Sequence, residues 1–446
     1  MPSSPERGDR RLARLLWQAG LRAAEPGAAL REALAAGADW SLPPQGRLVL
    51  LAIGKAAPAM LAAARAHARD RGLRPESWCV TTRENAALAR AAAPDRLFLA
   101  GHPLPDAAGH DAARAILAMA RGLGPADRLV ALVSGGASAL LPAPVAGLSL
   151  ADKVAVTRLL LAHGFTIDEI NRVRQALSQI KGGQLARLAA PAQVESWLLS
   201  DVIGDDPAVI GSGPTAWAAA SARQARALLE GRRIWNRLPA AVRTALAHRA
   251  AADDLPLARP ENAAAPVLIG SNALSRAAMA EEAARRLGAK NVVIVQEPLI
   301  GDVAREARRL LERAAALPVE GPVALLAGGE PVVTLEGTGK GGRNQELALR
   351  FSSEAARAGL GGRWAFLAAG TDGRDGPTKA AGGLVDEGTI DRIRARGLVP
   401  ESLLAANDSH RALAAAGDLF VTGPTGTNVA DLHVFVRLPP EREGRG

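Results

Sequence analysis

The chain of 446 residues has one cysteine, Cys79, and no tyrosine, and its aromatic residues amount to only 3%. A lone thiol closes no internal disulfide and builds no Cys-rich zinc or iron–sulfur site, which excludes paired-thiol redox chemistry and fits a reducing, cytoplasmic compartment. So few aromatics leave no stacking platform for single-stranded nucleic acid. Lysine is scarce too: Lys55, Lys153, Lys181, Lys290, Lys340 and Lys379 stand against 48 arginines. The net charge of +9 and the pI near 10.7 are therefore mostly an arginine effect and do not imply a basic groove. No nucleic-acid partner is expected, and a merely basic binding protein has only the pI in its favour.

Long apolar runs are missing as well. The N-terminus, MPSSPERGDRRLARLLWQAGL, carries charges where a signal peptide needs an apolar core, and reads as an Arg-rich amphipathic helix. The longest uncharged stretch, Leu129 to Ala151, is broken by Gly135, Gly136, Pro142, Pro144 and Gly147, so no membrane span is expected. There is no HExxH and no clustering of the seven histidines suited to a metal, so His102 in GHPLPD reads as a loop support. GxSxG and GxxxxGK[ST] are absent, which argues against a serine triad and a Walker A loop.

What is present is an alternation. Short Val/Leu/Ile runs alternate with longer Ala/Leu/Arg segments at helical spacing, the pattern of a mostly parallel sheet covered by helices on both faces, so the fold class is α/β. Strands are predicted at 48–53, 78–81, 97–100, 129–133, 196–199, 267–269, 292–295, 323–326, 365–368, 419–421 and 432–436. A composition shift between Gly231 and Pro266, rich in proline and without a strand, divides the chain into residues 1–240, a linker over 241–265, and residues 266–446. Glycine and polar residues follow most strands directly. In open α/β sheets these carboxyl ends form the ligand-binding edge.

Several of these loops carry chemistry. RLVALVSGGASAL runs from a strand into adjacent glycines, whose amides can approach a phosphate closely, so Ser134, Gly135, Gly136, Ala137 and Ser138 form a candidate cradle, with hydroxyl donors from Ser134 and Ser138. Lys55, in LLAIGKAAPAM, sits at another strand end where its ammonium can neutralise phosphate oxygens. The segment 166–183 reads as one helix with a Thr166/Glu169 capping box, a stop at Gly182, and a polar stripe of Asn171, Arg174, Ser178 and Lys181 suited to an anionic ligand. SDVIGDDP places Asp201, Asp205 and Asp206 on a loop, where carboxylates suit Mg²⁺ or a base that removes a hydroxyl proton.

In the second half, EGTGKGGRNQEL enters a helix beside Lys340 and Arg343, giving amides and a guanidinium suited to a transferring phosphoryl group. Asp372 and Asp375 follow a later strand, and Asn407-Asp408-Ser409 is expected to cap the next helix.

Taken together, GKAAPAM, GHPLPD, LVSGGASALL, INRVRQALSQIKGGQLA, LLSDVIGDDPAVIGSGPT, GGEPVVTLEGTGKGGRNQE, AAGTDGRDGPTKAAGG and GPTGTNVADLHVFV resemble the class II glycerate 2-kinase family over nearly the whole chain. Ala137, Lys379 and Ala430 depart from the family pattern, which bears on detailed loop contacts. The resemblance implies two three-layer α/β domains, an N-terminal Rossmann-like one and a C-terminal MOFRL domain, with an interdomain cleft. It further implies ATP-dependent phosphorylation of the 2-hydroxyl of D-glycerate to 2-phosphoglycerate, with a divalent cation such as Mg²⁺, and it places Lys55 and Arg343 in the active site.

On that basis Ser134 to Ser138 with Lys55 are expected to cradle phosphate, and Arg343 to neutralise charge in the transition state. Asp201 would be base or metal contact, Asp205 a metal contact, and Asn171 and Arg174 the holders of the glycerate carboxylate. Closure of the two domains with a hinge near 231–266 is expected to exclude water. A homodimer is a candidate assembly. The alternative activity is an NAD(P)H-dependent hydroxypyruvate reductase, a label carried by relatives. No GxGxxG with a later ribose-binding acid supports it here.

Overall fold

The computed structural model describes residues 7–216, 221–252 and 261–439. Among the described residues there are twelve strands: β1 Leu48–Ile53, β2 Glu76–Thr82, β3 Arg96–Ala100, β4 Arg128–Val133, β5 Gln193–Leu199, β6 Val267–Gly270, β7 Val292–Ile294, β8 Val323–Gly329, β9 Arg363–Gly370, β10 Gly382–Asp386, β11 Leu419–Phe420 and β12 Asp431–Leu438. They form two six-stranded sheets, ordered β3-β2-β1-β4-β5-β6 and β11-β10-β9-β12-β8-β7.

The first sheet matches the parallel expectation: β1 runs parallel to β2 and β4, β2 to β3, and β4 to β5. Helices Ala57–Asp70 and Ala107–Arg121 lie in the β1–β2 and β3–β4 connections, and such crossovers return each strand in the same direction. Alternate residues Val49, Leu51 and Ile53 pack with Ile116, Leu129 and Val133 in one buried core.

The second sheet corrects that expectation. Only β7 and β8 pair in parallel, whereas β12 is antiparallel to both β8 and β9, and β10 is antiparallel to β9 and β11. The β9–β10 connection contains no helix, so the chain reverses directly. β10, missed in the sequence, begins with two glycines, and each is demanded by contact. A Cβ on Gly382 would lie 1.9 Å from the Ala368 carbonyl oxygen, and one on Gly383 2.7 Å from Leu413.

The chain divides into two compact units, Pro26–Ile269 and Met1–Glu25 with Gly270–Gly446. The first helix, Gly8–Ala23, which the sequence reading grouped with residues 1–240, joins the second unit. Its Leu16 and Trp17 are buried with Met279, Leu326, Leu367 and Val434 on one face of the second sheet. Phe351, Trp364, Phe366 and Phe435 fill the other face, so that sheet is the middle of three layers. The expected linker is also absorbed: helix Ala240–Ala252 packs Val242 and Leu246 against Leu160, Val173 and Leu229, in a helical cluster of the first unit. β6 extends the first sheet. Residues 253–260 of the expected hinge lie outside the described residues.

Gly382→Ala is expected to force β10 away from β9 and lower stability by about 1–3 kcal/mol. Gly361→Ala, where nothing lies within 4 Å of a new Cβ, should leave it nearly unchanged. Urea unfolding of both variants checks the contrast.

Candidate functional site

At the carboxyl edge of the first sheet, β1, β4 and β5 bring the loops at Gly54, Ser134 and Asp201 together by close backbone approach. Gly54 has φ 125°, and a Cβ there would meet the Ser134 Oγ at 2.2 Å; a Cβ on Gly135 would meet Asp201 Oδ2 at 2.1 Å. Ser134 donates its hydroxyl to the Ile53 carbonyl oxygen at 3.4 Å. Its buried hydroxyl accepts from the Ala56 amide at 3.1 Å and so holds the two loops in register. The Lys55 amide donates to the Gly135 carbonyl oxygen at 2.9 Å, and its carbonyl accepts from Asn85 Nδ2 at 2.7 Å. The Lys55 stem lies along Gly136 beside His102. Burial first, then the Lys55 charge, lowers the His102 pKa, so this ring stays neutral near pH 7.

The segment 166–183 departs from a single helix. The Thr166/Glu169 box caps Ile167–Ala176 as expected, but the helix ends at Ala176. Ser178 Oγ accepts from the amides of Ile180 and Lys181, a local bond that competes with helix continuation. The polar stripe is therefore split, and the turn carries Lys181 inward. Lys181 is 2% exposed and donates to the Ser138 carbonyl at 2.8 Å and to Ser138 Oγ at 2.6 Å. Ser138 Oγ in turn lies 2.9 Å from Ser212 Oγ, which donates to Asn171 Oδ1 at 3.2 Å.

Ser138 and Lys181 help to line a cavity of about 330 Å³ whose lining also includes His102, Gly136, Lys153, Arg158 and Arg174 and contains no Asp or Glu. Asn171 is not part of the wall; it supports Ser138 from behind through Ser212. Lys153 is the group that sequence reasoning missed. Its Nζ is buried with no hydrogen-bond partner, and burial first, then Arg174, lowers its pKa to about 8. Burial lowers Arg174 as well, and drives Lys181 well below the usual ammonium range with help from Lys153 and Arg174. The signal available in the sequence was scarcity: two of six lysines fall here.

The acidic loop separates by role. Asp206 Oδ1 accepts from the Ala208 amide at 2.9 Å, an Asx-turn. Asp205 holds φ 55°, and its Oδ1 is buried without a partner. Among the described residues, no group of three His, Cys, Asp or Glu is placed to hold a metal ion. An orphaned carboxylate oxygen on Asp205, on the same loop as Asp201, still fits a hard cation that takes one or two carboxylates and draws its other ligands from phosphate and water.

In the second unit Arg343 opens helix Arg343–Ala358, but the helix end is not the free anion site that the sequence suggested. The Asp375 carboxylate accepts from the amides of Asn344 at 3.1 Å and Gln345 at 2.8 Å and fills that position. Burial raises its pKa, against these amide bonds. The glycine-rich loop is also engaged. Asn407 Oδ1 accepts from the amides of Glu336 and Gly337, both at 2.8 Å, and Asp408 Oδ1 from Lys340 at 3.1 Å. This corrects the expected capping role: Asp408 occupies the N-cap of Ser409–Ala416 without a side-chain cap bond.

Arg343 itself is fixed by two carboxylates. Nε and Nη2 donate to Asp431 at 2.6 and 3.0 Å, and Nη1 donates to the exposed Glu330 at 2.8 Å. Burial alone would lower the guanidinium pKa; Asp431 and Glu330 outweigh it and raise it, so the charge is permanent. Burial pushes Asp431 up to about 6, against the opposing pull of Arg343, and pushes His433 down to about 3, with the Arg343 charge adding to the effect.

Residues 12–247 match a family described only as a domain of unknown function, DUF4147, and residues 323–431 match the MOFRL family, which defines a two-module α/β protein of that class. A glycerate kinase of Macaca fascicularis is 42% identical over 381 residues, 75% of this chain and 95% of that one. An Agrobacterium vitis protein, provisionally named hydroxypyruvate reductase, is 40% identical over 402 residues, 88% of this chain and 99% of that one. The crystal structure of a Thermotoga maritima glycerate kinase matches with a TM-score of 0.84 at 33% identity, covering 96% of this chain and 99% of that one. The chain belongs to the glycerate kinase family.

Asp375→Ala leaves the buried amides of Asn344 and Gln345 unpaired, and an expected loss of about 1–3 kcal/mol in urea unfolding checks the internal cap.

Proposed function

We propose that the chain transfers the terminal phosphoryl group of ATP to the 2-hydroxyl of D-glycerate, giving 2-phosphoglycerate and ADP. The observation that carries this reading is the cavity of the first unit, where Lys153, Arg174 and Lys181 meet without a carboxylate in the lining. Such a wall favours an anion, and the cavity has room for a three-carbon acid. Family membership supplies the phosphoryl transfer, and the cavity supplies a place for the acid.

In this reading Arg174 holds the glycerate carboxylate, since a guanidinium matches it with paired donors. Asn171 serves that site indirectly, through Ser212 and Ser138. Asp201, packed on Gly135, accepts the proton leaving the substrate hydroxyl or contacts the metal. The loop Ser134, Gly135, Gly136, Ala137 and Ser138 offers backbone amides to phosphate oxygens, with Lys55 as a point charge; the Ser134 hydroxyl is retained for the fold. Arg343, its guanidinium fixed by Asp431, neutralises charge on the transferring phosphoryl group. Mg²⁺ would be held by Asp201 and Asp205 and would neutralise phosphate oxygens. A cytoplasmic location follows from the same reading, since the co-substrate is ATP and the single thiol is free and buried.

Incubation of the purified protein with D-glycerate and Mg·ATP should yield ADP and 2-phosphoglycerate, with phosphorus NMR separating that product from 3-phosphoglycerate. NADH consumption with hydroxypyruvate, without ADP formation, would overturn the assignment. Arg343→Met and Asp201→Asn are each expected to lower kcat by roughly 10²–10³-fold, as for loss of one charge-stabilising or proton-accepting group. Gly135→Ala should lower kcat while leaving the melting temperature nearly unchanged, because the new methyl displaces the Asp201 carboxylate rather than backbone.

A further inference from the structure

The Lys153 ammonium is anomalous in its surroundings. The Ser149/Asp152 capping box fixes the start of helix Leu150–Ala162, placing Lys153 in its first turn. The neighbouring carboxylate, Asp152, is committed to Ser149, accepting from its amide at 2.9 Å and its hydroxyl at 2.6 Å. The groups that share the cavity wall with Lys153 are cationic or neutral: Arg174 from helix Ile167–Ala176, Lys181 from the turn after it, Arg158 from its own helix and His102 from the loop after β3. A buried ammonium with no acceptor and two cations nearby is disfavoured until an anion arrives or its proton leaves.

The neighbours do not offer equivalent donors. Lys181 already directs two of its three N–H groups at Ser138, so it shapes the wall rather than completing a ligand shell. Arg174 can pair with one edge of a carboxylate and leaves the remaining lone pairs open. Around these groups the wall is apolar, formed by Pro103, Leu104, Pro105 and Leu161, which offers no partner for a second charged end of the ligand at that side.

We infer that Lys153 is the specificity-determining residue of this cavity: its unpartnered ammonium joins Arg174 on the carboxylate of the acceptor substrate and restricts acceptors to short hydroxy acids over uncharged polyols. This deepens the glycerate reading and rests on it. Because burial and Arg174 lower its pKa to about 8, Lys153 is charged below that pH and loses its proton above it. The kcat/KM for D-glycerate therefore falls as pH rises through about 8, whereas arginine at this position keeps its charge and moves that limb upward.

The test compares wild type, Lys153→Met and Lys153→Arg by steady-state kinetics between pH 6.5 and 10, with calorimetric titration of D-glycerate at pH 7 and circular dichroism to confirm folding. Lys153→Met should weaken glycerate binding and kcat/KM by roughly 10–100-fold, the size of one lost hydrogen bond to a charged group, with the KM for Mg·ATP within about twofold. It should also narrow the preference for D-glycerate over glycerol. Lys153→Arg should retain glycerate use and lose the alkaline fall near pH 8. Unchanged glycerate affinity in a folded Lys153→Met protein, or an unchanged alkaline limb in Lys153→Arg, overturns the inference. Absence of ADP formation by wild type instead strikes the kinase reading, while the calorimetric comparison still decides whether Lys153 binds the acid.

Discussion

Like charges held together inside a protein must be answered, and the first unit assembles Lys153, Arg174 and Lys181 without an acid among the residues facing them. Folding by itself does not recover the cost of desolvating these groups. The surrounding architecture is consistent with that constraint. Two capped helices, a turn that leaves helical geometry at Ser178, and the Ser138–Ser212–Asn171 chain all hold the cations at fixed positions. A site organised in this way is ready for an anion before one arrives, which reduces the reorganisation needed on binding.

The second unit treats charge in the opposite manner. Several of its polar groups already have internal partners: Asp375 takes amides at the helix terminus, Asn407 and Asp408 take loop amides, and Asp431 with Glu330 fixes the orientation of Arg343. The contrast between the two carboxylates on Arg343 is informative. Asp431 is wholly buried and meets the guanidinium with two parallel bonds, so it sets orientation, whereas Glu330 is largely exposed and its contact is correspondingly weak. His433, kept neutral by burial, adds no further charge beside the pair.

Much of the fold was legible because it depends on local pattern. Strands such as Leu48–Ile53 and the Leu129–Val133 part of β4 are continuous apolar runs, and the glycines that follow them mark the carboxyl edge of the sheet. β10 was illegible because its first two residues are chosen for the space left by Ala368 and Leu413, a property of other segments. The antiparallel pairing of β12 was hidden for a related reason, since its direction depends on the strands β8 and β9 between which it is inserted and not on its own composition. Lys55, Arg174, Asp201 and Arg343 could be singled out as candidates from their place in motifs. The bonds that the Ser134 hydroxyl and the Asn407 amide make within the fold were not legible, because such a group has the same chemistry whether its partner is a ligand or the next loop.

The sequence by itself determined the α/β class, the position of the glycine-rich edges, the Thr166/Glu169 cap and the family, because each is written in short spacings or in long ordered motifs. Only the tertiary structure decided which charges stand alone. Whether an ammonium such as Lys153 has a partner depends on the solvent and acids excluded from its neighbourhood by segments far away in the chain. That is a property of packing, and no spacing along the chain records it.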